Sequence, residues 1–227
     1  MNRTVPSLAD LAWRLNWRRR RLPLAGTGDK TFPPLILLTD SLRLPDPLTA
    51  VASLPAGGAV ILRHYGAPGR QDLARELAVL CRRRRIRLLI GGDARLAYAV
   101  GADGLHLPGW LARRGPGKWR RWRRAGWIVT AAVHSPASLL WAAGAGADAA
   151  LLSPVFATVS HPDAGMLGPL KFAAWCRLSP LPVYALGGIS AANVGRLKDC
   201  GNVGFAGIGG FSEDSKRRSW RVPVKPL

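Results

Sequence analysis

The chain has 227 residues, 48% of them hydrophobic, and carries 33 Lys and Arg against 13 Asp and Glu for a formal charge of +20. That length fits one α/β barrel or two small domains, one being the simpler reading, and the charge draws nucleic acid, anionic membrane or phosphorylated molecules alike. No stretch nears the roughly 20 continuous apolar residues of a membrane span, and residues 1–34 lack the apolar core of a signal peptide, so a soluble, cytoplasmic protein is expected.

Residues 1–34 read as a basic N-terminal extension. Within it, residues 7–17 form a short amphipathic pattern with Ser7 as cap and Leu8, Leu11 and Leu15 on one side. This is a helix docked on the fold or, beside arginines 18–21, a membrane anchor. After Pro33-Pro34 come eight short apolar runs, at 35–39, 59–63, 87–90, 104–107, 128–134, 149–153, 182–186 and 203–208. Each is near-continuously apolar, as strands buried on both faces are. Helix signals lie between them. Asp46-Pro47 supplies a cap and first turn, residues 70–84 place Leu73, Leu77 and Leu80 at helical spacing, and Asp93 opens 94–100. Ser135-Pro136 and Ser190 start two more, and Gly-Ala-Asp at 101–103 and 146–148 turns helix ends into the next strands. The last helix, 211–218, is short and polar. Strand and helix alternating eight times predicts an α/β fold, a single-domain (β/α)8 TIM barrel over 35–218 with a tail at 219–227. A doubly wound open sheet is the competing arrangement.

The cysteines Cys81, Cys176 and Cys200 are odd in number and lack a CxxC spacing, so neither a disulfide framework nor a zinc site is indicated. Basic tracts fall at 18–21, 82–85 and 113–124. They are either a polyanion-binding face, with Trp119 and Trp122 as stacking groups, or solvated helix ends.

In a barrel, the strand ends gather at one rim Asp40, Arg63, His64, Asp93, His106, His134, Ser153, Gly187, Gly188, Gly209 and Gly210. The glycine pairs follow the seventh and eighth runs, where barrels commonly bind phosphate, although tight turning alone also accounts for them. Ser190 could offer its hydroxyl or N–H to the same phosphate. His134, at a strand end beside a bound anion, is placed to carry a proton, or is simply a polar rim residue. His106, flanked by Leu105 and Leu107, reads as an interior hydrogen-bonded residue. Arg63 is the best side-chain anion contact, with a salt bridge to Asp40 as its alternative role.

Several of these segments carry a resemblance. Leu37-Leu-Thr-Asp40, Val100-Gly-Ala-Asp-Gly-Leu-His-Leu107, Val133-His-Ser135, Gly146-Ala-Asp148, Ser153-Pro-Val-Phe-Ala-Thr-Val-Ser-His-Pro-Asp-Ala164 and Leu186-Gly-Gly-Ile189 are, in order and as a set, similar to the thiamine-phosphate synthase/TenI family. The resemblance implies a (β/α)8 barrel handling a thiazole phosphate in thiamine biosynthesis. It also implies one of two reactions. Synthases join hydroxymethylpyrimidine diphosphate to thiazole phosphate with Mg²⁺ on the leaving pyrophosphate; TenI-type tautomerases move a proton to aromatise a thiazole phosphate carboxylate.

Synthases carry Gln-x-Arg-x-Lys on the second strand, Asn-Asp-Arg after the third and Gly-Gln-x-Asp after the fourth. Here Ile61-Leu-Arg-His-Tyr65 keeps only Arg63, Gly91-Gly-Asp93 replaces the second motif, and Pro108-Gly-Trp-Leu111 replaces the third. The chain thus resembles a divergent member lacking the usual metal-binding aspartates, and no metal ligand is assigned. His134 stands at the family's proposed proton carrier. With Ser153 at the strand end, Thr158 and Ser160 match its hydroxyl pair, and His161 stands where its lysine usually is.

The expectation is therefore a tautomerase-like isomerase. His134 is catalytic, and Arg63, Ser153, Thr158, Ser160, His161, Gly187, Gly188, Ser190, Gly209 and Gly210 bind phosphate or substrate, with no cofactor. The alternative is a divergent thiamine-phosphate synthase using Mg²⁺; a further one, of another class, is a non-catalytic polyanion-binding barrel. The expected partner is a phosphorylated small molecule, with nucleic acid as a lesser possibility and the oligomeric state left open.

Overall fold

The computed structural model describes residues 12, 31–158 and 165–208. Eight parallel strands close a barrel in chain order, β8 pairing back onto β1. They are β1 (Leu35–Leu38), β2 (Ala59–Leu62), β3 (Arg87–Gly91), β4 (Gly104–Leu107), β5 (Ile128–Val133), β6 (Ala149–Leu152), β7 (Val183–Leu186) and β8 (Gly204–Gly207). The (β/α)8 expectation thus holds, and each strand falls within or beside an apolar run.

The runs are apolar throughout because both strand faces are buried. Ile36, Leu38, Ile61, Leu89, Ile128, Leu151 and Tyr184 pack together inside the barrel. Their neighbours Leu35, Leu37, Leu62, Leu88, Ile90, Val129 and Leu152 belong to a second core shared with the surrounding helices. Tyr184 helps fill the barrel's N-terminal end and donates its hydroxyl to the Pro33 carbonyl at 2.7 Å. Gly204 must lack a side chain there, since a Cβ would lie 2.7 Å from the Tyr184 ring and 2.5 Å from the Pro34 carbonyl oxygen.

The outer layer comprises α1 (Pro47–Ala52), α2 (Arg70–Arg84), α3 (Ala94–Ala99), α4 (Gly109–Ala112), α5 (Pro136–Ala145) and α6 (Gly168–Leu178), with 3₁₀ turns at Lys118–Trp122 and Val194–Leu197. The caps read from sequence are formed. Asp46 accepts from Thr49 N at 3.0 Å, Asp93 from Leu96 N at 2.9 Å, and Ser135 forms a reciprocal box with Ser138. The Gly-Ala-Asp turns do more than reverse the chain. Asp103 accepts from Leu88 N and Asp148 from Val129 N, each at 2.8 Å, so each carboxylate stitches its turn to the start of the preceding strand.

Two expectations are corrected. The helix expected after Ser190 is only the 3₁₀ turn Val194–Leu197. Trp119 is not a stacking group for a polyanion: it is 7% exposed and packs in the core, while Trp122 lies edge-on to Tyr98 at 5.5 Å between centroids. Of the extension's helix, only Ala12 is described, helical and buried. The expected helix 211–218, the tail 219–227 and the arginines 18–21 lie outside the described residues. No helix among the described residues is long and apolar enough to cross a membrane. Cys81 is buried, and desolvation pushes its thiol up to about 12, which makes it inert at neutral pH.

Candidate active site

A cavity of about 770 Å³ opens at the C-terminal end of the barrel. The structure brings Arg63, His134, Ser153, Thr158, Gly187 and Gly188 together in its wall, with His106, Tyr65 and Ile208. Ser190 is not in that wall, and its N–H donates to Asn193 Oδ1 at 2.9 Å. Ser160, His161, Gly209 and Gly210 lie outside the described residues.

The end of β5 delivers His134. Its Nδ1 lies 3.0 Å from the Ser153 carbonyl oxygen and 3.2 Å from the Ser153 hydroxyl. A carbonyl only accepts, so Nδ1 carries the hydrogen and Nε2 keeps the lone pair of the neutral ring. The backbone holds the histidine too, since His134 N donates to Ser138 Oγ at 2.9 Å. The result is an exposed imidazole in a fixed tautomer whose Nε2 has no partner among the described residues.

Arg63 enters from the end of β2. Its N–H donates to buried Thr39 Oγ1 at 3.0 Å, and the same oxygen contacts His64 Nδ1 at 2.8 Å. No carboxylate pairs with the Arg63 guanidinium among the described residues; Asp40 instead takes Arg43 at 3.0 Å. Burial opposes ionisation of Asp40, but Arg43 and the Leu42 amide outweigh it and hold its carboxyl at about 2. The histidine in the floor near Arg63 adds no charge near neutral pH. His106 is 3% exposed, its Nδ1 lies 2.9 Å from Thr130 Oγ1, and burial, aided by Arg63, lowers its pKa to about 3. His106 is thus the interior hydrogen-bonded histidine expected. Arg63 is left as a cation in the cavity wall with no carboxylate partner among the described residues.

The loop after β7 supplies backbone chemistry. Gly187 and Gly188 adopt φ of 97° and 65°, the left-handed region that favours glycine. Their close approach to the loop after β6 forbids side chains, because a Cβ on Gly187 would sit 3.0 Å from Pro154 and one on Gly188 would overlap the Ala157 carbonyl oxygen. Carbonyls of Leu186 and Gly187 accept from Val155 and Phe156, and that of Gly188 from Asn193 Nδ2. Among the described residues nothing accepts from the N–H groups of Gly188, Ile189 and Ile208, all in the cavity wall. Backbone N–H groups in one cavity wall with no acceptor among the described residues suit an anion's oxygens.

The loops after β3 and β4 are built differently. The Tyr65 phenol lies across Gly91 and Gly92: a Cβ on Gly91 would be 2.9 Å from its hydroxyl and one on Gly92 3.3 Å from its ring. Arg70 donates to the Gly91 carbonyl at 2.6 Å, lies 5.9 Å from the Tyr65 ring centroid and approaches Asp93 at 3.8 Å. Nothing in the sequence signals this assembly, because its members come from a loop, a helix and a helix cap. Magnesium asks for carboxylate and water oxygens in octahedral array. The nearby carboxylates Asp40 and Asp93 are absent from the cavity wall and each faces an arginine, and no cluster of three His, Cys, Asp or Glu among the described residues is placed to share a cation. The described donor set does not fit that ion.

Comparison with known proteins adds a chemical context. A family model described as thiamine monophosphate synthase matches residues 36–211. A thiamine-phosphate synthase of Methanoculleus marisnigri is 38% identical over 159 residues, covering 67% of this chain and 74% of that protein. A putative thiamine-phosphate synthase of Geobacter sulfurreducens is 33% identical over 196 residues, covering 81% and 89%. Among solved structures, thiamine phosphate pyrophosphorylase from Pyrococcus furiosus aligns with a TM-score of 0.60 at 26% identity, covering 76% of this chain and 83% of that one.

Proposed function

The chain belongs to the thiamine monophosphate synthase family, an enzyme family of thiamine biosynthesis, and from that premise we propose that it binds a thiazole phosphate and isomerises it in the TenI manner. His134 carries the proton. The observation that supports this reading is the fixed tautomer: the Ser153 carbonyl takes Nδ1–H at 3.0 Å and leaves Nε2 as a base. Nε2 removes a proton from one ring position of the bound thiazole precursor and returns it to another, so the aromatic product forms with no net proton gained or lost. The imidazolium formed in between keeps its Ser153 hydrogen bond.

The phosphate sits on the N–H groups of Gly188, Ile189 and Ile208, with Thr158, Ser160, His161, Gly187, Gly209 and Gly210 completing the grip. Ser190 shapes this loop through Asn193. Arg63 holds the ligand's carboxylate, for which an unneutralised guanidinium is suited. The reaction needs no metal.

A second reading is the synthase reaction, favoured by the names of the relatives at 38% and 33% identity. In it, Mg²⁺ would be carried in largely by the diphosphate. One assay separates the two. Purified protein is given the thiazole phosphate carboxylate precursor or, separately, hydroxymethylpyrimidine diphosphate with thiazole phosphate, with and without Mg²⁺. Isomerisation insensitive to EDTA and abolished by His134→Gln is expected. Mg²⁺-dependent coupling without isomerisation overturns the proposal.

A further inference from the structure

The proposed reaction leaves one outer face of the molecule unused. Residues 104–147 contain no Asp or Glu, yet carry Arg113, Arg114, Lys118, Arg120, Arg121, Arg123 and Arg124. Two of these are structural: Arg123 pairs with Asp148 at 3.0 Å, and Arg124 stacks 3.9 Å from the Tyr98 ring centroid while donating to the Tyr98 carbonyl. Others are exposed beside large apolar groups. On α4 and α5, which pack together, Trp110, Leu140 and Trp141 are 59%, 64% and 41% exposed. Arg113 lies 5.0 Å from the Trp141 ring and Arg114 5.2 Å from the Trp110 ring.

We infer that this α4–α5 face docks the enzyme on an anionic phospholipid surface. Charge complementarity selects the occupant: Arg113 and Arg114, on a segment that holds no acid of its own and five further cations, repel a second copy of this face and fit a polyanion. Two features favour a bilayer over a nucleic acid. Each tryptophan already has a guanidinium over its ring, which competes with a stacked base but leaves a ring edge and its apolar body to enter the interface, where tryptophan partitions. Leu140, exposed beside Trp141, offers nothing to a base and inserts readily among acyl chains. Arginines flanking such groups meet the headgroup phosphates.

The test is sedimentation of the full chain with phosphatidylcholine vesicles, with and without phosphatidylglycerol. Binding only to the anionic vesicles is expected. Arg113→Glu with Arg114→Glu should weaken it by at least about tenfold, whereas the equal charge change Arg82→Glu with Arg83→Glu, on the exposed end of α2, should cost much less. Trp110→Ala with Leu140→Ser keeps the charge and should also release the protein, with circular dichroism unchanged. Equal losses from the two charge-reversal pairs, or no loss from the apolar pair, overturn the inference. So does a single-stranded oligonucleotide that binds more tightly than the vesicles and depends on the same four residues. None of these outcomes depends on which reaction the cavity performs.

Discussion

The two halves of the barrel rim use opposite means. After β1 to β4, side chains face side chains: Arg43 meets Asp40, Arg70 meets Asp93 and the Gly91 carbonyl, and Tyr65 covers Gly91 and Gly92. After β5 to β8, the backbone dominates, with N–H groups at Gly188, Ile189 and Ile208 that have no acceptor among the described residues and a carbonyl orienting His134. A satisfied half gives specificity by shape; an unsatisfied half gives affinity by what it lacks. Arg63 is the exception on the satisfied side, a cation with no carboxylate beside it among the described residues.

The histidines of the two halves offer the strongest way to break this contrast. His134→Gln should lower kcat for isomerisation by about 10²–10⁴ with KM little changed, the usual worth of a general acid–base; a loss below twofold would show that its orientation is incidental. His106 should act on stability instead. Its pKa is about 3 when folded, against about 6.5 in an unfolded chain. The unfolded state therefore binds the extra proton between those values, and stability is present above pH 6.5 and lost as pH falls toward 3. At about 1.4 kcal/mol for each tenfold difference in proton affinity, the loss is several kcal/mol. Thermal unfolding of wild type and His106→Asn across that range should give a steeper acid slope for the wild type.

Gly188→Ala attacks the backbone half directly. A side chain at φ of 65° that also overlaps the Ala157 carbonyl should cost about 2–4 kcal/mol, read as a lowered midpoint in urea, and should weaken phosphate binding. Arg63→Ala should raise KM about 10- to 100-fold, with Arg63→Lys recovering part of it, because one charge-assisted contact is lost while His134 is untouched. Tyr65→Phe, which removes the hydroxyl beside Gly91 but keeps the ring that covers Gly91 and Gly92, should change turnover less than about twofold.

Much of this is legible in the sequence. The barrel announces itself because its strands are buried on both faces, so even four-residue elements such as Ala149–Leu152 stand out as apolar runs. His134 and the Gly187-Gly188 pair can be found because a strand's C-terminal end defines the rim. The salt bridge to Asp40, the alternative role for Arg63, does not form among the described residues, where Arg43, three residues from Asp40, reaches it locally. After Ser190 the sequence does form the cap-like contact that starts a helix, Ser190 N–H to Asn193 Oδ1, but the chain continues only as the 3₁₀ turn Val194–Leu197. Trp119 is hidden by its basic neighbours, whose charge says nothing about which way the ring between them points.

The phenol over Gly91 also ties three positions of this rim to one another. A side chain at Gly91 would bring its Cβ to 2.9 Å from the Tyr65 hydroxyl and 3.0 Å from the Leu62 carbonyl oxygen, and the neighbouring Gly92 sits at φ of 71°, where any side chain is strained. Tyr65 must first shrink or swing away, losing its contact with Arg70 in the process. Two glycines and one tyrosine thus pack as a unit in which neither glycine can be enlarged without moving the phenol.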